Sequence, residues 1–134
     1  MAWIIIFAEI VYLLVGNKYI TFAMRTLTKT AAYEDFVASL PETVLKKLDY
    51  VTNILISRGV ISAKFVKKLE RTDFYELRIS VENEYRVLLF AVDNPNIIEA
   101  KQVLMLNGFL KKSTKDYRAQ IQKAENILQS LEQN

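Results

Sequence analysis

The sequence predicts a small α+β domain with a mainly antiparallel sheet and the element order β-α-α-β-β-β-α. A chain of 134 residues is the length of one domain. It is 51% hydrophobic and 25% charged, which is enough apolar material for a packed core. The hydrophobic periodicity also changes along the chain, from helical spacing to two-residue alternation and back again. Three meandering strands with helices on one side of the sheet account for these observations.

Residues 1–23 differ from the rest of the chain. Residues 4–15 form an apolar run that is broken only by Glu9. This run is a poor transmembrane helix, because spanning a bilayer needs about 20 apolar residues and a charge in the span is costly. It also lacks the basic start and cleavage site of a signal peptide. Three interpretations stay open: an added strand or helix packed on the domain, a weak membrane anchor, or translation from an upstream start with Met24 as the natural first residue.

The domain itself is assigned to residues 24–134, which carry the whole net charge of +3. Residues 25–29 alternate and are predicted as a first strand. Residues 31–40 have helical spacing, and Pro41 suits the first turn of a second helix. The second helix carries an apolar stripe and ends before Gly59. A basic connector follows at 60–72, either solvated or in contact with RNA or the ribosome.

The next segment predicts a β-hairpin. Tyr75, Leu77, Ile79 and Val81 alternate with polar residues, and so does the start of the following run, Tyr85, Val87, Leu89 and Ala91. Pairing Val81 with Tyr85 places both apolar sets on one face, and it places Arg78, Ser80 and Arg86 on the other. The second strand is apolar on both faces beyond Arg86, which indicates a central strand.

A third strand and a final helix complete the prediction. Asn94, Pro95 and Asn96 form a turn. The chain then leads into an apolar strand at 103–106. From Tyr117 onward, apolar residues recur at helical spacing to Leu131.

Composition excludes several kinds of chemistry. The chain has no cysteine and no histidine, so disulfides, thiolate metal sites and a histidine-based nucleophile relay are excluded. We expect no metal and no cofactor. The mildly positive charge is compatible with nucleic-acid binding and does not require it.

Cationic residues late in the chain are the candidates for a functional site. Arg78 and Arg86 can pair with the nearby glutamates Glu76, Glu82 and Glu84, or they can bind phosphate with their planar guanidinium groups. Lys111 and Lys112 follow Gly108 and are either exposed loop lysines or part of the same site. Tyr117 is either a core residue in the first helical turn or a stacking platform for a base.

The motifs YELR at 75–78, YRVLLF at 85–90 and NGFLKK at 107–112 resemble the RelE/HigB superfamily of toxins from type II toxin–antitoxin modules. The resemblance is to the phage-derived HigB-like branch and covers roughly residues 25–134. It implies a microbial ribonuclease-like fold and cleavage of mRNA, usually on the ribosome. It also implies a cognate antitoxin, often of the helix-turn-helix type. A cytoplasmic location without a membrane partner is expected from the composition and from the poor transmembrane character of residues 4–15.

The resemblance also implies roles for particular residues. Arg86 matches the phosphate-stabilising arginine, Arg78 a phosphate-binding residue, and Lys111 and Lys112 the basic pair that would give acid–base or electrostatic help. The expected RNA-binding residues are Lys67, Lys68, Lys115 and Tyr117. Some relatives use histidine, which this chain lacks, so the general base is not assigned.

Two alternatives to an RNA-cleaving toxin remain. ParE-like toxins of the same superfamily bind DNA gyrase without cutting RNA, and fold does not decide between the two functions. An inactive domain that only binds its antitoxin is the other alternative. The arginines and the GFLKK stretch favour the ribonuclease.

Overall fold

The computed structural model describes residues 24–133 in full and, before them, the backbone of three strands. These are β1 (Ala2–Phe7), β2 (Ile10–Val15) and β3 (Lys18–Thr21), which pair as an antiparallel sheet in the order β1-β2-β3. The choice between an upstream start, a weak anchor and a segment packed on the domain lies outside the described residues. In the part of the chain that is described, no helix has the length and apolar character needed to cross a membrane.

The main domain is built on a second, five-stranded sheet. Its elements are β4 (Thr26–Lys29), α1 (Ala31–Ala38), α2 (Glu42–Ser57), β5 (Val66–Lys68), β6 (Phe74–Val81), β7 (Asn83–Ala91), β8 (Gln102–Leu110) and α3 (Thr114–Glu132). The strand order is β4-β8-β7-β6-β5. β4 lies parallel to β8, and the other neighbours are antiparallel. The predicted α+β class, the mainly antiparallel sheet and the central position of the YRVLLF strand are therefore confirmed.

The hairpin of β6 and β7 has the predicted faces but a different register. Tyr85 pairs with Ile79 and not, as predicted, with Val81, which pairs with Asn83. The reason is a tight turn at Glu82, whose φ of 60° lies in the left-handed region. The shift is two residues, and side chains alternate with a period of two, so no side chain changes face.

Helices cover both faces of this sheet, so the prediction that they lie on one side is wrong. The first face packs against α1 and α2, through residues that include Leu48, Leu55 and Leu77. The second face packs against α3, where Ala124 contacts a cluster of apolar side chains from the strands. The physical reason is that β8, and β7 beyond Arg86, are apolar on both faces, so neither face of the sheet can be left to water.

The basic connector predicted at 60–72 contains the short strand β5. Val66 is buried and lies opposite Leu77 of β6, while Lys67 and Lys68 are exposed. Three residues are too few for an alternating pattern to be recognised in the sequence. The two lysines therefore occupy fixed positions on the edge of the sheet.

β8 is longer than predicted and runs through the NGFL motif to Leu110. Its register against β7 shifts between Val87 and Leu89, which marks a β-bulge. Beyond the bulge, Gly108 lies against the ring of Phe36 from α1. A Cβ atom at Gly108 would lie 2.2 Å from that ring, so only glycine allows this helix to approach the strand so closely.

α3 begins three residues before the predicted Tyr117. Ser113 is its N-cap, and its backbone N–H and its hydroxyl both donate to Oδ2 of Asp116, at 3.1 and 3.3 Å. This start places Tyr117 in the first turn of the helix, beside the second face of the sheet.

Arg25 is a buried arginine that joins two distant parts of the domain. Its side chain is surrounded by five backbone carbonyl groups, at 2.5–3.2 Å, which belong to Leu55, Arg58, Gly59, Ile97 and Ile98. Three of these carbonyls lie at or just beyond the C-terminal end of α2, where unpaired carbonyls attract a cation. Burial lowers the pKa of Arg25 from its ordinary value, and the guanidinium still keeps its charge.

Candidate active site

The site is built on the second face of the sheet, where β6 and β7 run beside the start of α3. Arg78 and Arg86 lie directly opposite each other on neighbouring strands. Glu76 precedes Arg78 by two residues, so its side chain is on the same face. The register of this hairpin therefore brings two guanidinium groups and a carboxylate together.

Arg86 is at the centre of a buried network. Its side chain is 3% exposed, and its Nη1 lies 3.0 Å from Oε2 of Glu84. Its Nε donates to the hydroxyl oxygen of Tyr117 at 3.1 Å and lies 3.6 Å from Oε2 of Glu76. The Tyr117 hydroxyl in turn donates to the same oxygen of Glu76 at 2.6 Å. Arg86 thus holds both the carboxylate and the phenol in place.

Arg78 has a different position from Arg86. Its side chain is 32% exposed, and its Nε lies 3.4 Å from Oε1 of Glu76. Glu76 itself is only 5% exposed and has one oxygen toward each arginine. The carboxylate therefore orients the accessible guanidinium of Arg78 from below, and part of Arg78 stays open to a ligand.

The network determines the protonation of its members. Burial opposes the charge on Arg86, but hydrogen bonds to Glu84 and Tyr117 and the charge of Glu76 offset it, so the pKa of Arg86 is raised. Hydrogen bonds from Ser80 and Arg86 hold the pKa of Glu84 below its ordinary value. Burial and the hydrogen bond to Glu76 raise the pKa of Tyr117 to about 12. Tyr117 is therefore a hydrogen-bond donor at neutral pH and not a base.

Around this network lies an open cleft of about 340 Å³. Its lining includes Tyr117, two carboxylates and four cationic side chains, the last being Lys67, Lys68, Arg78 and Lys111. The carboxylates are Glu70 and Glu76, so positive charge predominates. Such a cleft attracts anions, and Arg78 can give a phosphate two hydrogen bonds from one planar group.

The structure brings most of the predicted site residues together. Lys111 directly follows β8, and its Nζ lies 5.9 Å from the centre of the Tyr117 ring. Lys67 and Lys68 line the cleft from β5. Lys112 and Lys115 are exposed and are not among the residues that line the cleft. Arg86 lies beneath the cleft and does not line it.

Sequence reasoning recognised some of these contacts and missed others. The expectation that nearby glutamates pair with the two strand arginines is confirmed for Glu76 and Glu84. The hydroxyl of Tyr117 as a bridge between Arg86 and Glu76 was not foreseen. Its ring also packs edge-on against Phe109, with centroids 5.3 Å apart. The residues in these contacts are 8 to 41 positions apart in the sequence. The spacing of apolar residues within one helix or strand does not indicate such contacts.

We expect Tyr117→Phe to remove one phenol that deprotonates near pH 12 from the ultraviolet titration curve of the native protein. The folded-state pKa lies above the ordinary value of about 10. The network's contribution to stability is therefore complete below pH 10 and is lost as the pH rises through 12. Glu76→Gln removes the neighbouring negative charge and should lower the pKa of Tyr117. Loss of a phenol that titrates near pH 10 in Tyr117→Phe would contradict this account.

The fold and the site define a small α+β protein with a cationic cleft suited to an anionic ligand. The sequence model of the family described as "Phage derived protein Gp49-like (DUF891)" matches residues 35–129. The chain therefore belongs to this family of phage-derived Gp49-like proteins. A search of curated proteins gave no significant match. A search of solved structures also gave none.

Proposed function

We propose that this protein is the toxin of a type II toxin–antitoxin module and that it cleaves mRNA in the cationic cleft. Membership of the Gp49-like family, which is toxin-like, supports the first part of the proposal. The motifs that resemble the RelE/HigB superfamily support a RelE-like fold and a ribonuclease activity. The observation that carries the proposal is Arg78, which is partly exposed and held by Glu76 among the lysines of the cleft.

The proposed reaction needs no metal. The ribose 2′-OH gives its proton to water and its oxygen attacks the adjacent phosphorus, while negative charge builds up on the phosphate oxygens. The P–O5′ bond breaks, the 5′ oxygen takes up a proton, and the products are a 2′,3′-cyclic phosphate and a 5′-hydroxyl. Arg78 binds the phosphate and stabilises this charge. Lys111 lines the cleft beside the ring of Tyr117 and is placed to donate a proton to the departing oxygen or to add positive charge.

Arg86 has a supporting role in this proposal. In the structure its guanidinium is occupied by Glu84, Glu76 and Tyr117 and lies below the cleft. Arg86 therefore positions the groups that orient Arg78. This differs from the role that the superfamily resemblance implies for Arg86, in which it stabilises the phosphate directly.

The proposed partners follow from the same function. A cognate antitoxin would neutralise the toxin, and the ribosome would present the mRNA in the cytoplasm. The cationic cleft and the lysines of β5 are the surfaces that we expect to face RNA.

The proposal is tested by mapping mRNA 5′ ends after brief expression of the wild-type chain and of Arg78→Ala, with and without translation. Loss of one preorganised donor should reduce cleavage by about 100-fold or more. Arg78 is accessible, so the variant should keep its fold, as checked by circular dichroism. Arg118→Ala is the matched control, because Arg118 is exposed on α3 and does not line the cleft.

The results separate the proposed activity from its alternatives. New 5′ ends that need both Arg78 and translation would support a ribosome-dependent ribonuclease. If expression of the wild-type chain and of Arg78→Ala both stop growth without producing new RNA ends, the ribonuclease proposal fails. A gyrase supercoiling assay then tests the ParE-like alternative. No effect on growth or RNA from the wild-type chain would favour an inactive antitoxin-binding domain.

A further inference from the structure

A second group of aromatic and basic side chains, two of them exposed and two half-buried, lies outside the cleft. Tyr50 of α2 is 51% exposed and meets the ring of Phe65 edge-on, with ring centres 6.0 Å apart. Lys47 has its Nζ 5.1 Å from the Tyr50 ring centre and 5.9 Å from that of Phe65. Lys64 lies 5.7 Å from the Phe65 ring centre. We call these four residues the aromatic patch.

The lysines of the aromatic patch are not committed to carboxylates. Among the described residues, neither Lys47 nor Lys64 forms an ion pair, whereas Lys46 on the same helix lies 3.7 Å from Glu42. The ammonium groups instead rest against the aromatic rings, a weak interaction at an exposed site. The exposed ring of Tyr50 and the positive charges of the two lysines are therefore the parts of the patch that a ligand can reach.

The patch is close to the cleft although it belongs to the other side of the sheet. Phe65 packs against the core beneath α2, while Arg78 faces α3. Yet the backbone N–H of Arg78 donates to the carbonyl oxygen of Phe65 at 2.8 Å. Lys67 and Lys68 follow Phe65 on the edge strand β5 and line the cleft. Lys64 of the patch is thus followed along the chain by Lys67 and Lys68, which lie on the sheet edge and line the cleft together with Arg78.

We propose that the aromatic patch binds single-stranded RNA, with a base stacked on the exposed ring of Tyr50 and phosphates bound by Lys47 and Lys64. Stacking on aromatic rings and a basic path along the backbone are the two features that bind single strands without sequence preference. The inference rests in part on the proposed function, because the same RNA would continue around β5 into the cleft. It adds a binding site that the cleavage chemistry does not require.

The experiment measures binding of the full chain to a fluorescent single-stranded RNA whose 2′-hydroxyls are methylated, so that cleavage by 2′-OH attack cannot occur. We expect Tyr50→Ala to weaken binding of a twelve-nucleotide probe by about 5-fold or more, since stacking of one base contributes that much. Tyr50→Trp should restore it. Lys64→Ala should reduce the salt dependence of binding by about one unit of slope.

Control variants separate the patch from the cleft. Lys46 lies on α2 beside the patch and is already paired with Glu42. We expect Lys46→Ala to bind the twelve-nucleotide RNA with the affinity of the wild-type chain. A four-nucleotide probe is too short for both surfaces, and we expect its binding to depend more on Arg78 than on Tyr50. Equal affinity of Tyr50→Ala and of the wild-type chain for the twelve-nucleotide probe would overturn the proposal.

The failure of this inference can be told from failure of the proposed function. If Tyr50→Ala binds normally and Arg78-dependent cleavage persists, only the aromatic patch is wrong. If RNA binding depends on Tyr50 and no cleavage occurs in any variant, the patch stands and the ribonuclease proposal falls.

Discussion

Arg25→Ala is expected to lower the free energy of unfolding by about 4 kcal/mol or more. The guanidinium has five carbonyl neighbours within hydrogen-bonding distance, and a hydrogen bond to a charged group contributes about 1.5–3 kcal/mol. The contributions are not additive, but loss of the guanidinium leaves buried carbonyl groups without donors. The expected cost is a large part of the unfolding free energy of about 5–15 kcal/mol that is typical of a domain. Urea unfolding followed by circular dichroism measures it.

Two further variants make the Arg25 result specific. Arg58→Ala makes the same change of side chain at an exposed position, and we expect it to alter stability by no more than about 0.5 kcal/mol. Arg25→Lys keeps the charge but has fewer hydrogen-bond donors in a different geometry. Its free energy of unfolding should therefore lie between those of the wild type and of Arg25→Ala. A cost below about 1 kcal/mol for Arg25→Ala would show that the carbonyl contacts matter little.

Arg86→Ala is the second change with a large expected effect, about 3–5 kcal/mol of unfolding free energy. Removing one member of a buried ion pair leaves the other charge without its partner. Here the remaining group is Glu76, whose side chain is 5% exposed. The hydroxyl of Tyr117 loses a donor at the same time.

A double-mutant cycle with Glu76→Gln tests this explanation. If the cost of Arg86→Ala comes from the buried carboxylate, the double variant should be more stable than the sum of the single changes predicts. Additive effects would instead assign the cost to lost packing of the arginine stem. In either case, Arg86→Ala would change stability as well as any activity, so Arg78→Ala is the cleaner test of the proposed RNA cleavage.

The faces of the hairpin were predictable because apolar and polar residues alternate in β6 and at the start of β7. The same pattern could not give the exact register, since an error of two residues leaves every side chain on its own face. The turn at Glu82 decides it, through a backbone conformation that glutamate rarely adopts. Local geometry at one residue thus fixed what the hydrophobic pattern left open.

The position of α3 was misjudged although the sequence contained the signal. Leu88, Leu104 and Leu106 are apolar residues on the face opposite the first core, and a strand that is apolar on both faces needs cover on both. The role of Arg25 had no such signal in the sequence. Its partners are backbone carbonyl groups up to 73 residues away. Every residue type has the same backbone carbonyl, so the sequence does not show which of them bind Arg25.

The sequence allowed the cationic residues of the candidate site to be predicted, but it did not show which of them would line the cleft and which would be buried. Arg78, Lys67 and Lys111 line the cleft, as their positive charges suggested. Arg86 has the same charge and lies directly opposite Arg78 on the neighbouring strand, yet it is buried. The difference arises from α3, because Tyr117 covers one arginine and leaves the other accessible.

The outer strands of the five-stranded sheet also bear on aggregation. Exposed sheet edges offer unpaired backbone groups to other chains, and short, charged edge strands reduce this risk. β5 has only three residues, two of them lysines, and β4 has four, which end in Lys29. Lys67 and Lys68 therefore protect the sheet from edge-to-edge association as well as lining the cleft. Replacing both with apolar residues would promote self-association, so single substitutions are the safer way to test whether they take part in the proposed RNA binding.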